Sequence, residues 1–407
     1  MIPRLMASTL LRLSKTFPVL GVTGPRQSGK TTLVRELFKD KPYVSLEDPQ
    51  EREFAKEDPK GFLKRFEKGA IFDEAQRWPD LFSHLQGMVD DDRVPGRFIV
   101  TGSQQFNLLA GMTQSTQSLA GRIGMTRLLP LQGLELSQNH QSTLDQRLYV
   151  GSYPAIHTTH KNSPELPHAS QDWFASYVLT YIERDVRQLI NVQELGVFQR
   201  FIQLCAARTG QLLNVASLAN EAGINEKTTR SWLSVLESSD LVYLLRPYHR
   251  NFGKRLVKSP KLYFVDTGLA AWLLGIRDEA MLNLHPMRGA LFETYVVMEH
   301  IKYRYNQGLP ADVFFWRDSN GVEADLIYEV QTQENGQIAQ KLQTIEIKSG
   351  STITTDFVKQ GKKSSQFVGL EAMEPMLIYG GDESLTRSGI HFQAWQDLFQ
   401  SPPATKE

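Results

Sequence analysis

The chain has 407 residues, length enough for two or three domains, and carries 45 Lys and Arg against 45 Asp and Glu, so no overall field draws it onto nucleic acid or an anionic membrane. A hydrophobic fraction of 41% with 22% charged residues excludes a mainly disordered chain. Cys205 is the single cysteine, which excludes intrachain disulfides and thiolate metal clusters; with no apolar stretch of about 18 residues, the expectation is a soluble cytoplasmic protein with no membrane partner.

In chain order, short apolar runs at 19–22, 43–46, 70–72 and 97–100 alternate with helical patterns, the signature of an α/β unit with a buried parallel sheet and helices on both faces, assigned to residues 1–135. A helical connector is expected over 136–196, where Trp173, Tyr177 and Tyr181 recur at helical spacing as core residues. Residues 197–285 read as three short helices and two strands, at 241–245 and 261–265, around a basic loop. The segment 286–400 opens with a helix at 289–305 and continues with strands at 313–316, 324–328 and 344–348, a mixed α/β unit; 401–407 is a flexible tail.

Gly24-Pro25-Arg26-Gln27-Ser28-Gly29-Lys30-Thr31 fits G-x-x-x-x-G-K-[ST] between a strand and a helix, the setting of a P-loop NTPase. Such a loop turns its backbone N–H groups inward on phosphates, with Lys30 on the β- and γ-phosphates, the Thr31 hydroxyl on Mg²⁺ and Thr32 completing the ATP contacts. Ala70-Ile71-Phe72-Asp73-Glu74 adds a strand ending in two acids: Asp73 for the Mg²⁺ shell and Glu74 to polarise the attacking water. After the strand at 97–100, Ser103 or Gln104 could sense the γ-phosphate. Arg122 is placed to act as an arginine finger on a neighbouring subunit of a homo-oligomer, with an ordinary surface arginine as its competitor.

These motifs, with Phe72-Asp73-Glu74-Ala75-Gln76-Arg77, Thr101-Gly102-Ser103-Gln104, Ser118-Leu119-Ala120-Gly121-Arg122, Tyr181-Ile182-Glu183-Arg184-Asp185-Val186, Lys258-Ser259-Pro260-Lys261, Asp266-Thr267-Gly268-Leu269 and Ile345-Glu346-Ile347-Lys348-Ser349, resemble AAA+-type ATPases that join an AAA_14 domain to a DUF4143 region. The resemblance spans nearly the whole chain. It implies a P-loop ATPase, a winged-helix middle and a restriction-endonuclease-like end.

Between Gln199 and Leu262 ten Lys or Arg face four acids, an excess of six positive charges, and the stretch 246–261 holds no acid. Interleaved with Tyr248 and Phe252, these bases suit phosphate neutralisation and stacking on exposed bases, which makes DNA the expected partner. Lys227 and Arg230 on the second helix, with Arg250, Lys254, Arg255 and Lys258 in the loop, are the candidate contacts; a packing module with a solvated loop is the competing reading.

In the last segment Glu346 and Lys348 alternate on one strand and share a face, Asp325 lies on the strand before, and Glu293 or Glu323 supplies a further acid. By resemblance Asp325, Glu346 and Lys348 map onto the D…E-x-K of restriction-endonuclease-like folds, which implies a Mg²⁺ site on Glu293, Asp325 and Glu346, although Ala324 stands where the fuller pattern has proline. A catalytically inert platform is the alternative. His157 and His160 form H-x-x-H without further ligands and read as a surface loop, and Cys205 reads as a small buried hydrophobe.

Overall fold

The computed structural model describes residues 2–103, 119–137, 142–159, 163, 165–186, 194–248, 258–318, 321–334, 337–366 and 372–400. The first unit is a five-stranded parallel sheet in the order β2-β3-β4-β1-β5, from β1 (Val19–Thr23), β2 (Tyr43–Ser45), β3 (Ala70–Asp73), β4 (Phe98–Gly102) and β5 (Ile123–Arg127). β1, β3 and β4 are buried along their whole length because helices cover both faces. Alternation divides their side chains: Leu20, Val22, Ile71 and Ile99 pack with Met6, Leu10 and Leu33, while Val19, Phe72, Phe98 and Val100 pack with Phe62, Trp78 and Phe82. The ends of β1 and β3 are thereby fixed on either side of β4, which sets the spacing of the phosphate loop and the acidic pair.

In the middle of the chain, helix Val215–Ala222 is capped by Asn214 and closed by Gly223 in the left-handed region (φ 76°). Asn225 then starts helix Glu226–Ser238 by accepting the N–H of Thr228 at 2.8 Å. These helices and Leu195–Ala206 pack around Phe198, Phe201 and Trp232 against a small antiparallel sheet, order β6-β8-β7, of β6 (Gln211–Leu212), β7 (Val242–Leu245) and β8 (Lys261–Phe264). The connector is helical, continuing from Leu166–Tyr177 into a π-helix at Val178–Val186.

The last unit is a mixed six-stranded sheet, order β13-β14-β12-β11-β10-β9, from β9 (Phe314–Arg317), β10 (Glu323–Glu334), β11 (Gln337–Lys348), β12 (Met376–Tyr379), β13 (Leu385–Arg387) and β14 (Ile390–Ala394). Helix Arg288–Asn306 lies between this sheet and the rest, buried on several sides, and ties the units together. Lys302 donates to the Leu131 carbonyl (2.9 Å) and the Ser152 hydroxyl (3.1 Å), Glu299 accepts from the Gly133 N–H (2.7 Å), and Thr9 donates to the Asn306 carbonyl (2.7 Å). At the end of β5 the Arg127 guanidinium pairs with buried Asp240, just before β7, and donates to the Tyr305 hydroxyl at 3.0 Å.

Tyr177 and Tyr181 are buried as expected, as is Cys205. His157 differs from the expected surface loop: it is buried in helix Pro154–Thr159 with Nε2 2.9 Å from the Gly151 carbonyl. His160 and the tail 401–407 lie outside the described residues. Among the described residues no helix is long and apolar enough to cross a membrane.

Candidate nucleotide site and acidic pocket

The phosphate loop leaves β1 at Gly24 (φ 147°), where a Cβ would stand 2.1 Å from the Leu128 carbonyl oxygen, so only glycine fits. Gly29 (φ 92°) then aims the start of helix Lys30–Leu37 into a cleft of about 640 Å³ lined by Arg26, Gln27, Gly29, Lys30, Thr31 and Thr32, with Asp73 and Glu74 opposite. Lys30 is buried, its Nζ on the carbonyls of Gly24 (2.9 Å) and Pro25 (2.8 Å). Burial lowers its pKa, against the opposing pull of Glu74 and Asp73. The buried Ser28 hydroxyl has no hydrogen-bond partner, a polar group within the loop that a phosphate oxygen would satisfy.

Across the cleft Thr31 donates to Asp73 Oδ2 at 2.9 Å, Tyr43 donates to the same oxygen at 2.7 Å, and Thr101 donates to Oδ1. Burial and then the bond to Asp73 push the Tyr43 phenol up to about 12, so it stays a donor. Glu74 sits in the left-handed region (φ 55°) just past β3, and its Oε2 accepts from Gln76 and from Ser103 (3.1 Å). A carboxylate and a threonine hydroxyl joined beside a phosphate loop are the donor set that Mg²⁺ takes with a nucleotide, so the residues fit that ion.

Ser103 is bonded to Glu74 rather than aimed alone into the cleft, and Gln104 lies outside the described residues. Arg26 stands over the Tyr181 ring at 5.4 Å and pairs with Glu47 at 3.5 Å. Arg122 pairs with Asp90 just before β5; because Ile123 is in register with Val19, it flanks the end of the sheet away from the phosphate loop. Five residues of strand at ~3.3 Å each separate those ends, so Arg122 does not serve its own chain's loop.

Sequence reasoning missed Arg4, whose 5%-exposed side chain donates to the Ser28 carbonyl (2.7 Å), the Leu129 carbonyl (2.8 Å) and Glu135 (3.0 Å). It also missed the holders of the acids, Tyr43, Thr101 and Gln76. The run Thr101-Gly102-Ser103 at a strand end was the available signal for Thr101; Arg4 has no local one.

The C-terminal acids do come together, in a pocket of about 490 Å³. Glu293 projects from helix Arg288–Asn306, Glu323 and Asp325 from β10, and Glu346 from β11, where Lys348 Nζ meets its Oε1 at 2.6 Å. At their centre stands Lys261 of β8, its Nζ 2.8 Å from Glu293, 3.7 Å from Asp325 and in contact with Glu323. Burial opposes its charge, but Tyr263, Glu293, Asp325 and Glu323 outweigh that cost and hold its pKa well above the ordinary value. Burial, and then Asp325, raise Glu346 to about 7. Of the three residues expected to hold Mg²⁺, Glu293 and Asp325 thus face the Lys261 ammonium and Glu346 faces Lys348. Among the described residues no three His, Cys, Asp or Glu side chains are disposed to hold a metal.

Within the basic segment, three residues sit differently from the expectation. Lys261 is buried in this pocket and Arg208 is paired with Glu221, so neither belongs to a free basic face. Tyr248, expected to stack on bases, is 7% exposed, packs on Phe314 and donates to Glu329 at 3.0 Å. Lys227, Arg230 and Lys258 are exposed, Arg230 within an i,i+4 pair with Glu226 at 3.4 Å. Arg250, Phe252, Lys254 and Arg255 lie outside the described residues.

Residues 16–137 match the AAA_14 family, described as an AAA domain; 141–280 match a domain of unknown function, DUF8612; and 288–396 match another, DUF4143. The chain is 32% identical over 377 residues to the uncharacterized proteins Rv2008c of Mycobacterium tuberculosis and Mb2031c of Mycobacterium bovis, over 92% of this chain and 79% of each relative. Solved structures similar to it include the Walker-type ATPase PABY2304 of Pyrococcus abyssi, at 14% identity and TM-score 0.40 over 66% of this chain and 94% of that one. AMPPCP-bound DnaA from Aquifex aeolicus follows at 12% and 0.29 over 57% and 85%, and Thermotoga maritima RuvB at 16% and 0.26 over 59% and 85%. With its glycine loop, acidic pair, five-stranded parallel sheet and both family regions in order, the chain belongs to the AAA_14/DUF4143 family of AAA-type ATPases.

Proposed function

We propose that the protein hydrolyses ATP with Mg²⁺ in the cleft between the phosphate loop and the Asp73-Glu74 pair, and that the nucleotide state governs how the middle unit binds DNA. The observation that carries the first part is the Thr31 to Asp73 hydrogen bond at 2.9 Å beside Glu74, whose carboxylate is held by Ser103 and Gln76. Lys30 and the loop N–H groups orient the phosphates, and the Ser28 hydroxyl gains a partner among them. Thr31 and Asp73 would hold Mg²⁺, which when bound would neutralise charge developing on the phosphates. Glu74 accepts a proton from the attacking water, and Ser103 and Gln76 fix the direction of that carboxylate. Phosphate release by the purified protein is the test: Lys30→Ala is expected to lower turnover about 10²- to 10³-fold, and wild-type turnover in that variant would remove the assignment.

The helices Val215–Ala222 and Glu226–Ser238 with the three-stranded sheet support a winged-helix reading of the middle unit, and exposed Lys227, Arg230 and Lys258 support DNA as its partner. The binding would be to backbone phosphates and would weaken with salt, with log K falling at a slope of about −5 against log salt if six bases engage. Changing Lys227 and Arg230 to Ala is expected to flatten that slope by about 2; an unchanged slope would turn the segment into a protein-binding or packing module. Arg122, away from its own phosphate loop, fits a role toward a second copy in a homo-oligomer.

One observation favours the alternative to a nuclease. With Lys261 among Glu293, Glu323 and Asp325, the restriction-endonuclease-like end reads as a binding platform, and the protein as a nucleotide-switched regulator.

A further inference from the structure

We infer that Lys261 is the resident cation of the acidic pocket: its ammonium takes the place of a divalent ion and clasps the middle unit to the C-terminal unit without metal. The ammonium is supplied by β8, which among the described residues pairs only with β6 and β7, whereas the carboxylates are carried by helix Arg288–Asn306 and β10. Tyr263, two residues on and on the same face of β8, donates to the same Glu293 oxygen at 2.6 Å, so two side chains of one strand converge on one carboxylate.

The remaining acids are matched as well. Arg317 meets the outer oxygen of Glu323 at 3.2 Å, Lys348 meets Glu346, and Asp325 Oδ2 accepts the Ile347 N–H at 2.8 Å. A divalent ion entering this set would displace an ammonium whose side chain is 5% exposed, leaving it buried and unpaired, which is the costly outcome for such a group. Three side-chain cations, Lys261, Arg317 and Lys348, thus face four carboxylates, which leaves about one negative charge against the two positive charges of Mg²⁺, and the joint between the two units is insensitive to chelation.

The test uses the full chain carrying Asp73→Asn, without nucleotide, so that the phosphate-loop cleft contributes no metal response. Melting is followed in EDTA and in MnCl₂. With Lys261 present, the melting temperature is expected to be the same in both. Lys261→Met leaves the carboxylates facing each other; it is expected to melt roughly 5–10 °C lower in EDTA and to recover most of that shift in Mn²⁺. Adding Glu323→Gln and Asp325→Asn to Lys261→Met is expected to remove the Mn²⁺ response. Lys261→Gln, which keeps an N–H donor without the charge, is the second variant, expected to behave as Lys261→Met does. Mn²⁺ raising the melting temperature of the Lys261 protein as much as that of the variants would overturn the inference. So would variants that gain nothing from Mn²⁺, including variants that stay unfolded with and without it.

Discussion

In the nucleotide cleft, Asp73 is held by three hydroxyls, from Thr31, Tyr43 and Thr101, while the nearby lysine bonds to backbone carbonyls. In the C-terminal pocket, Glu293, Glu323 and Asp325 surround a lysine ammonium directly. Hydroxyl donors satisfy the lone pairs of a carboxylate without cancelling its charge, so the first site keeps a negative field for a cation arriving with its nucleotide. The second has spent that field on its own side chain. Residue types are shared between the sites; what differs is whether the donor is neutral.

The sharpest way to break this contrast is a matched pair of substitutions. Glu74→Gln is expected to lower ATP turnover about 10²- to 10⁴-fold with nucleotide still bound, whereas Asp325→Asn should leave turnover at the wild-type level. Equal losses in phosphate release would mean the two sites act as one. Next in size is Arg4→Met. Arg4 is a buried cation like Lys261, but it belongs to the wall of the nucleotide cleft and leaves Glu135 behind when removed. Denaturant unfolding should show a loss of about 3–5 kcal/mol, with a raised KM for ATP, because the Ser28 carbonyl loses its anchor; a stability loss with KM unchanged would make Arg4 purely structural.

The smallest effect concerns pH and separates the helix bearing Glu293 from the cleft. His300 on that helix is lowered to about 4 by burial, so the folded protein keeps it neutral where the unfolded chain, with a value near 6.5, takes a proton. Its contribution is present above pH 6.5 and is lost as pH falls toward 4, amounting to about 3 kcal/mol at the lower end. Unfolding measured across that window should be less steep in pH for His300→Phe; an unchanged slope would place the loss on other groups.

The nucleotide site was legible in sequence because its chemistry is local. Gly24 to Thr31 is a contiguous turn, and the Asp73-Glu74 pair ends an apolar strand, so type and order alone predict which groups meet. Lys261 was not legible for the opposite reason. In one dimension it belongs with Arg255 and Lys258 and swells a basic tract, whereas its partners lie 32 to 64 positions later and burial is invisible in a charge count. Tyr248 misled in the same way, since an aromatic among bases reads as a stacking platform until Phe314 is seen to cover it. The hairpin of β10 and β11 was read only at its inner ends, 324–328 and 344–348, because its outer part is a polar run such as Gln331-Thr332-Gln333 with no apolar alternation to betray it. Arg4 joins positions 24 to 131 residues away and leaves no periodic trace.

The Arg127, Asp240 and Tyr305 contact bears on how this architecture can be recombined. Arg127 is in register with Thr23, the residue before the phosphate loop, yet its guanidinium reaches Asp240 and Tyr305 in the middle and C-terminal parts of the chain. Swapping the N-terminal part alone between relatives would bury an arginine without its acid, or the acid without its arginine. The three segments are thus not interchangeable cassettes: a working chimera has to carry these three positions across as a set, and descent should preserve them as one heritable unit.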